Sequence, residues 1–568
     1  MIKPIQNHPR IAPLNTIVIF ALILLVDYPL AASAQTAYWV FFRDRGTDVS
    51  ASVYVDAHAL ERRKLRGVLE ISGDFDRPVC REYLTEIQSF PGVRWRGESR
   101  WLNAVSIEAD SATLSKLSQL PFVRRLQPVA KLVRAGNPDD FRNRASFVRK
   151  TVNERLLESV YTSDGRPTQP DPAVTDPYWR MDRAWYGPSL NQVRQINALE
   201  THFRGNHGTG VRIAVLDGGF ILSHEAFQHL DVIAQYDFIN DDDNTDYDAS
   251  QDVWGQPDHG TACMSVIGAY LPGNLIGLAH EASFILCKTE NDASETPVEE
   301  DFWVRAVEWA EALGADVLSS SLSYKDWYQL ADYDGLTAPT SRAAQIARDL
   351  GMVLCTSVGN EGPDPMSLGV PADAEGVLAI GAVKYNGDLA RFSSRGPAAD
   401  GRIKPDICAQ GVRTACVNPG TWVEYSFWNG TSLSCPVAAG GIALILAEHP
   451  DWGPDRIHEA VRETASRAAR PDNDWGWGIL NVEEAIHYPS VSGWVLDSSG
   501  RGLENVSVHL VGEQVDLNVT TDYSGFYRFP NLDFIRCQVE VLWKDGVVSK
   551  SEHLVVPPSE EVDLSEPQ

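Results

Sequence analysis

Residues 437 to 447 are small or apolar at every position, so a helix there has no polar face for water and has to lie buried in a packed domain. The residues just before it, Gly430-Thr431-Ser432-Leu433-Ser434-Cys435-Pro436, suit a tight turn and a first helical turn. Ser432 therefore stands at the mouth of a buried helix, beside backbone N–H groups. A serine in that place can serve as a helix cap. It can equally serve as a nucleophile, if a base takes its proton and N–H donors stabilise the oxyanion it creates. The segment alone does not choose between the two.

Two upstream segments do. Gly210 to Gly219 is a largely apolar run that ends in Asp217 and two glycines, which reads as a buried parallel strand. Asp217 then falls at its C-terminal end, where open α/β sheets place their sites. The second segment, Asp258-His259-Gly260-Thr261-Ala262-Cys263, puts an imidazole at the start of another small-residue helix. Asp217, His259 and Ser432 supply an orienting carboxylate, a general base and a nucleophile, in the chain order found in subtilisin.

On these motifs, residues 176–487 resemble a subtilisin-like serine peptidase, a subtilase. The Asp motif falls on Val215-Leu216-Asp217-Gly218-Gly219, the His motif on His259-Gly260-Thr261, and the Ser motif on Gly430-Thr431-Ser432 through Pro436. Ser357-Val358-Gly359-Asn360-Glu361-Gly362 resembles the segment that carries the oxyanion-hole asparagine, which assigns that role to Asn360. Loss of one such donor costs about a hundredfold to a thousandfold in kcat, a magnitude set by subtilisin itself. Gly314 to Ser323 resembles the strand lining the substrate cleft, which makes Ser321, Leu322 and Ser323 the implied substrate-binding residues. Phe392 to Pro397, Lys404 to Ile407 and Gly476 to Asn481 match further family segments in order. The resemblance implies an α/β fold: a three-layer domain around a mostly parallel sheet, preceded by an α+β propeptide and followed by a small β-sandwich.

The chain also departs from the family pattern. Gly218 stands where Ser or Thr usually follows the aspartate, Ala262 replaces a second histidine, Leu433 replaces a methionine, and Ser323 stands where a cleft glycine is usual. None of these removes a triad group. The last bears on the first specificity pocket, which it would narrow or re-aim.

At 568 residues and 43% hydrophobic content, the chain has ample core for several domains. Residues 1–34 read as a secretory signal, with Lys3 and Arg10 before an apolar stretch from Ile17 to Val26 and Ala32-Ser33-Ala34 at the cleavage positions. Residues 35–175 alternate strand and helix (Thr36 to Phe42, Ala57 to Leu65, Trp101 to Ile107, Ala112 to Leu120, Val123 to Val129) and resemble a subtilase propeptide with a cleavable, Pro-rich tail. Residues 488–568 alternate apolar and polar between turn signals, a β-sandwich pattern that resembles a carboxypeptidase-regulatory-like, transthyretin-related module.

The net charge of −28 speaks against nucleic acid and anionic membrane surfaces as partners. The expected partners are protein or peptide substrates and the chain's own propeptide as an intramolecular inhibitor, with no membrane span once the signal is removed. The chemistry implied needs no cofactor. The run Asp241 to Asp248 is rich enough in oxygen to take structural calcium but lacks EF-hand spacing, reads better as a solvated loop, and gives no ligand. Of the eight cysteines most read as small buried hydrophobes, with a Cys408–Cys416 pair across a turn as the alternative. The leading expectation is a secreted serine endopeptidase made as a zymogen. The alternative is a catalytically silent subtilase scaffold that binds a partner.

Overall fold

The structure is a computed structural model that describes residues 36–46, 53–68, 72–129, 179–292, 296–325, 327–512, 515–532, 535–542, 548–551, 554–556 and 558–565. The expected signal and the Pro-rich tail lie outside the described residues.

The N-terminal unit is a four-stranded sheet of β1 (Thr36–Phe42), β2 (Arg94–Ser99), β3 (Ala104–Ala109) and β4 (Val123–Pro128) in the order β2-β3-β1-β4. Its longer helices are α1 (Ala57–Leu65), α2 (Arg81–Gln88) and α3 (Ser111–Leu117). Both α1 and α3 begin at an aspartate, Asp56 or Asp110, whose carboxylate accepts an N–H of the first turn. The sequence pattern had marked neither α2 nor β2. Because strand side chains alternate, β1 serves two cores: Val40 and Phe42 pack inside this unit, while Trp39 and Phe41 point into the neighbouring domain.

That neighbour is built on seven parallel strands: β5 (Arg212–Asp217), β6 (Asp231–Asp237), β7 (Ser283–Lys288), β8 (Val317–Ser320), β9 (Val353–Ser357), β10 (Val377–Val383) and β11 (Ile407–Gln410). Their order is β11-β10-β9-β8-β5-β7-β6. Every residue of β8, β9, β10 and β11 is buried, as apolar runs covered on both faces require. One face carries α4 (Asp258–Gly268) and α7 (Thr431–Glu448), and the other α5 (Val298–Ala312) and α6 (Pro339–Asp349). Residues 431–448 are apolar and long enough to cross a bilayer, but the helix lies 83% buried in this core.

The N-terminal unit docks on the α5 face through charge as well as rings. Arg62 and Arg63 of α1 both reach Glu311 at the end of α5, with Arg63 Nε at 2.9 Å from Oε1, and all three residues are at most 2% exposed. Arg66 pairs with Asp316 at 3.0 Å, Arg96 with Asp301 at 2.8 Å and Arg100 with Glu308 at 3.3 Å.

Residues 491–565 form two smaller sheets. The first pairs β14 (Val491–Leu496) with β17 (Phe526–Phe529), and the second holds β15 (Ser507–Gly512) between β16 (Asp516–Thr520) and β18 (Ile535–Leu542). Val491, Val508, Tyr527, Phe529 and Val539 share one core between them. All eight cysteines are buried and free, and Cys408 and Cys416 reach different main-chain carbonyls, of Trp475 and Ser426.

Removing the Glu311 carboxylate takes from the buried Arg62 its acidic partner and leaves the buried Arg63 with Asp76 alone. Glu311→Ala is expected to destabilise the intact chain by about 3–5 kcal/mol, read as a lower urea midpoint. An unchanged midpoint would show that the charge cluster contributes nothing to docking.

Candidate active site

Asp217 is the last residue of β5, so its side chain emerges at the C-terminal edge of the sheet, near its middle. Its Oδ1 accepts the Gly218 N–H at 2.8 Å. No hydroxyl is needed at 218, nor would one fit, since a Cβ on Gly218 would stand 2.7 Å from the Gln256 carbonyl oxygen. The residue that seemed a missing support is thus a main-chain donor in a space too tight for a side chain.

His259 occupies the first turn of α4. Gly260 lets that helix close on β5: a Cβ there would lie 2.3 Å from the Gly219 oxygen and 2.8 Å from Asp217 Cβ. The close approach brings His259 Nδ1 to 2.8 and 3.0 Å from the two Asp217 oxygens. Asp217 is 1% exposed, whereas the His259 side chain is 29% exposed, so the imidazole links a buried charge to the cleft. Burial of the ring disfavours its protonation, but the Asp217 carboxylate outweighs burial, with the Cys263 sulfur acting in the same direction, and the pKa is held well above 6.5.

Ser432 sits in the first turn of α7, after Gly430 at φ +150°, a conformation open to glycine alone. The hairpin β12 (Thr414–Val417) and β13 (Tyr425–Trp428) delivers the chain to that turn, held by Gly430 N to Gly411 O at 2.8 Å. Pro436 has no N–H to give the carbonyl four residues back, which is that of Ser432. The freed oxygen is taken instead by Ser321 Oγ at 2.8 Å and Cys263 Sγ at 3.3 Å. The proline thus ties the serine turn to the cleft strand and to α4. The Ser432 N–H, in the first turn, has no intrahelical acceptor and lies at the positive end of the helix dipole.

Asn360 follows β9, and its Oδ1 accepts from Thr431 N at 2.8 Å and Thr431 Oγ1 at 3.0 Å. With the oxygen committed, only the Nδ2 end of the amide remains to donate. Ser321 bonds the serine turn, Leu322 packs into the core on the α5 side, and Ser323 is exposed.

The structure therefore gathers Asp217, His259, Asn360, Ser321 and Ser432 around one cleft. The Ser432 hydroxyl donates to the Ser321 carbonyl at 3.4 Å, and no hydrogen bond joins it to His259 among the described residues. Catalytic hydrogen bonds are often loose in a ligand-free site and tighten around substrate. Cys263 is buried, as a small hydrophobe would be. Its sulfur lies 3.9 and 4.0 Å from the two ring nitrogens of His259. The i, i+4 spacing of His259 and Cys263 on one helix was the available signal.

Asp217, His259 and Cys263 have ligand atoms within 4.8 Å of one another, but a cation there would occupy the imidazole nitrogen that Asp217 orients. In the acidic run, Asp242 accepts from Asn244 and Gln251, and Asp248 from Ser250. Beneath it, the buried Lys288 ammonium bridges Asp237 at 2.8 Å and Asp252 at 2.6 Å.

A seven-stranded parallel sheet with helices on both faces, carrying a carboxylate–imidazole pair and a helix-mouth serine at its C-terminal edge, has the architecture of the subtilisin class. Residues 208–478 match the Subtilase family, and residues 37–144 match the Peptidase S8 propeptide domain of Bacteroidota. Residues 208–478 are thus a subtilase-family serine peptidase domain, with an S8 propeptide domain ahead of it. It is 30% identical to Serine protease AprX of Bacillus subtilis over 49% of this chain and 66% of that protein. To Subtilisin E of Bacillus subtilis it is 28% identical, over 52% and 70%. The crystal structure of fervidolysin from Fervidobacterium pennivorans shares the fold at TM-score 0.51 and 18% identity, covering 94% of this chain and 78% of that one.

His259 is expected to titrate above 6.5 by NMR in the Ser432→Ala protein. Asp217→Asn should lower that pKa, because burial then acts unopposed. An imidazole that titrates at or below 6.5 with Asp217 present would contradict the pairing.

Proposed function

We propose that this chain is a secreted serine endopeptidase made as a zymogen. Ser432 Oγ attacks the peptide carbonyl, and His259 accepts its proton and returns it to the leaving amine. Asp217 holds the imidazole tautomer by accepting from Nδ1 and stabilises the imidazolium, staying ionised throughout. The Ser432 N–H and Asn360 Nδ2 receive the oxyanion, and water then resolves the acyl-enzyme. The observation that carries the reading is the 2.8 Å His259–Asp217 bond in the same cleft as a serine in the first turn of a buried helix. All reacting groups are protein groups, so no cofactor enters the chemistry.

The proposed layout has a signal at 1–34, an inhibitory propeptide and cleavable linker at 35–175, the peptidase at 176–487, and a carboxypeptidase-regulatory-like module at 488–568 that stabilises the enzyme or binds a surface or substrate. Support for the inhibitor role comes from the match to an S8 propeptide domain and the buried charge cluster that holds it against α5. Support for export comes from the N-terminal sequence pattern. A complete Asp, His, Ser and Asn set is more than a silent scaffold needs to keep.

The test is expression of the full chain beside Ser432→Ala and Asn360→Ala. Wild type should release its N-terminal domain, hydrolyse casein and react with a fluorophosphonate, and the serine variant should do none of these. Asn360→Ala should lose about a hundredfold to a thousandfold in kcat. Because only neutral His259 can take the proton, kcat/KM should rise with pH through the elevated His259 pKa, giving an alkaline-shifted acid limb. A wild-type chain that neither processes itself nor labels would sink the proposal.

A further inference from the structure

The peptide carbon attacked by Ser432 lies within bonding reach of Oγ with its oxygen toward Asn360, so the side chain on that same residue has to enter a crevice only a few ångströms away. One such crevice opens where β8 and β9 part. The two strands pair in register as far as Ser320 and Thr356. Beyond that point they diverge: Tyr324 pairs with Val370, and Val358 N bonds the Ile380 oxygen. The segments 321–323 and 358–360 become the walls of a slot beside Ser432. The segment 321–323 offers the slot a single side chain, since Ser321 Oγ is committed to the Ser432 carbonyl and Leu322 is in the core.

Opposite it lie two residues that have none, Gly359 and Gly369. Gly359 adopts φ +108°, and a Cβ there would stand 2.8 Å from Ser394 Oγ and 3.5 Å from Ser323 Oγ. A Cβ on Gly369 would stand 2.2 Å from Ser323 Oγ and 3.0 Å from the Tyr324 oxygen. Gly369 has no positive φ to demand glycine. The demand there is steric, and the nearest atom that makes it is the serine hydroxyl. Two glycines clear a space, and Ser323 Oγ stands in it. Lys325, two residues past Ser323, also reaches Glu361, next after Asn360, at 3.6 Å and ties the two walls together.

We propose that the Ser323 hydroxymethyl group plugs the pocket for the side chain that precedes the scissile bond, restricting cleavage to positions after small residues such as Ala, Ser and Gly. The inference rests on the peptidase reading above and names its substrate class. A small Cβ-only side chain leaves Ser323 where it is, whereas an aromatic or long aliphatic one needs the volume the hydroxymethyl holds. In a hydrophobic specificity pocket, one methylene of fit changes kcat/KM by about 10- to 200-fold.

The experiment measures kcat/KM for succinyl-Ala-Ala-Pro-X p-nitroanilides, X being Ala, Leu or Phe, on the self-processed products of wild type, Ser323→Gly and Ser323→Ala, with active sites counted by fluorophosphonate. Wild type is expected to favour Ala over Phe by about tenfold or more. Ser323→Gly should raise the Phe-to-Ala ratio by at least about tenfold, and Ser323→Ala should raise it by a smaller step. The alanine variant keeps the test decisive if the glycine variant fails to fold. A labelled wild type that cleaves after Phe as readily as after Ala, or a ratio that neither variant moves, would overturn the plug alone. Failure of wild type to label would overturn the peptidase reading and the plug with it.

Discussion

The site depends on how closely helix α4 can approach strand β5. The hydrogen bond from His259 Nδ1 to Asp217 spans two elements that meet where Gly218, Gly219 and Gly260 leave the backbone bare. A methyl group at any of the three would meet a main-chain oxygen at 2.3 to 2.8 Å. The helix would then move off the strand and carry the imidazole from its carboxylate. Interiors are too densely packed to absorb such a shift locally. The pairing of a buried carboxylate with a half-buried ring is thus a consequence of glycine placement.

A second backbone constraint sets the serine. Pro436 interrupts the α7 ladder where the acceptor would be the Ser432 carbonyl, and the structure meets that deficit with Ser321 and Cys263. A buried carbonyl without a donor costs about 1–3 kcal/mol, so the two side chains locate the turn as well as satisfy it. The segment that follows strand β8, helix α4 and helix α7 are thereby fastened together at Ser432.

On the far face of the sheet the N-terminal unit is fixed by a different balance. Trp39 and Phe41 supply apolar burial, while Arg62, Arg63, Arg66, Arg96 and Arg100 each meet a carboxylate of the α5 region. Desolvating so many charges is costly, and the cost is recovered only when every partner is present. Such an interface is more a specification of one docked geometry than a source of surplus stability.

The local chemistry was legible in the sequence: glycine-flanked Asp217, His259 on a small-residue helix, Ser432 at the mouth of an all-apolar one, and the strand and helix alternation of the N-terminal unit. Each of these is written in contiguous residues, where periodicity and turn chemistry act. Contacts between segments far apart in the chain were not legible. Gly218 read as a departure from the family pattern until Gln256 was found packed over it, and nothing local to Arg62, Arg63, Arg96 and Arg100 says that Glu311, Asp301 and Glu308 lie opposite them. Nothing near Ser323 in sequence says that Gly359 and Gly369, more than thirty residues on, leave its hydroxyl the space it occupies. The sequence alone determined which groups could react, because reactivity resides in residue type and local backbone. Only the tertiary structure decided how they are aimed and what the cleft admits, because those depend on distances of a few ångströms between strands and helices that the chain brings together only on folding.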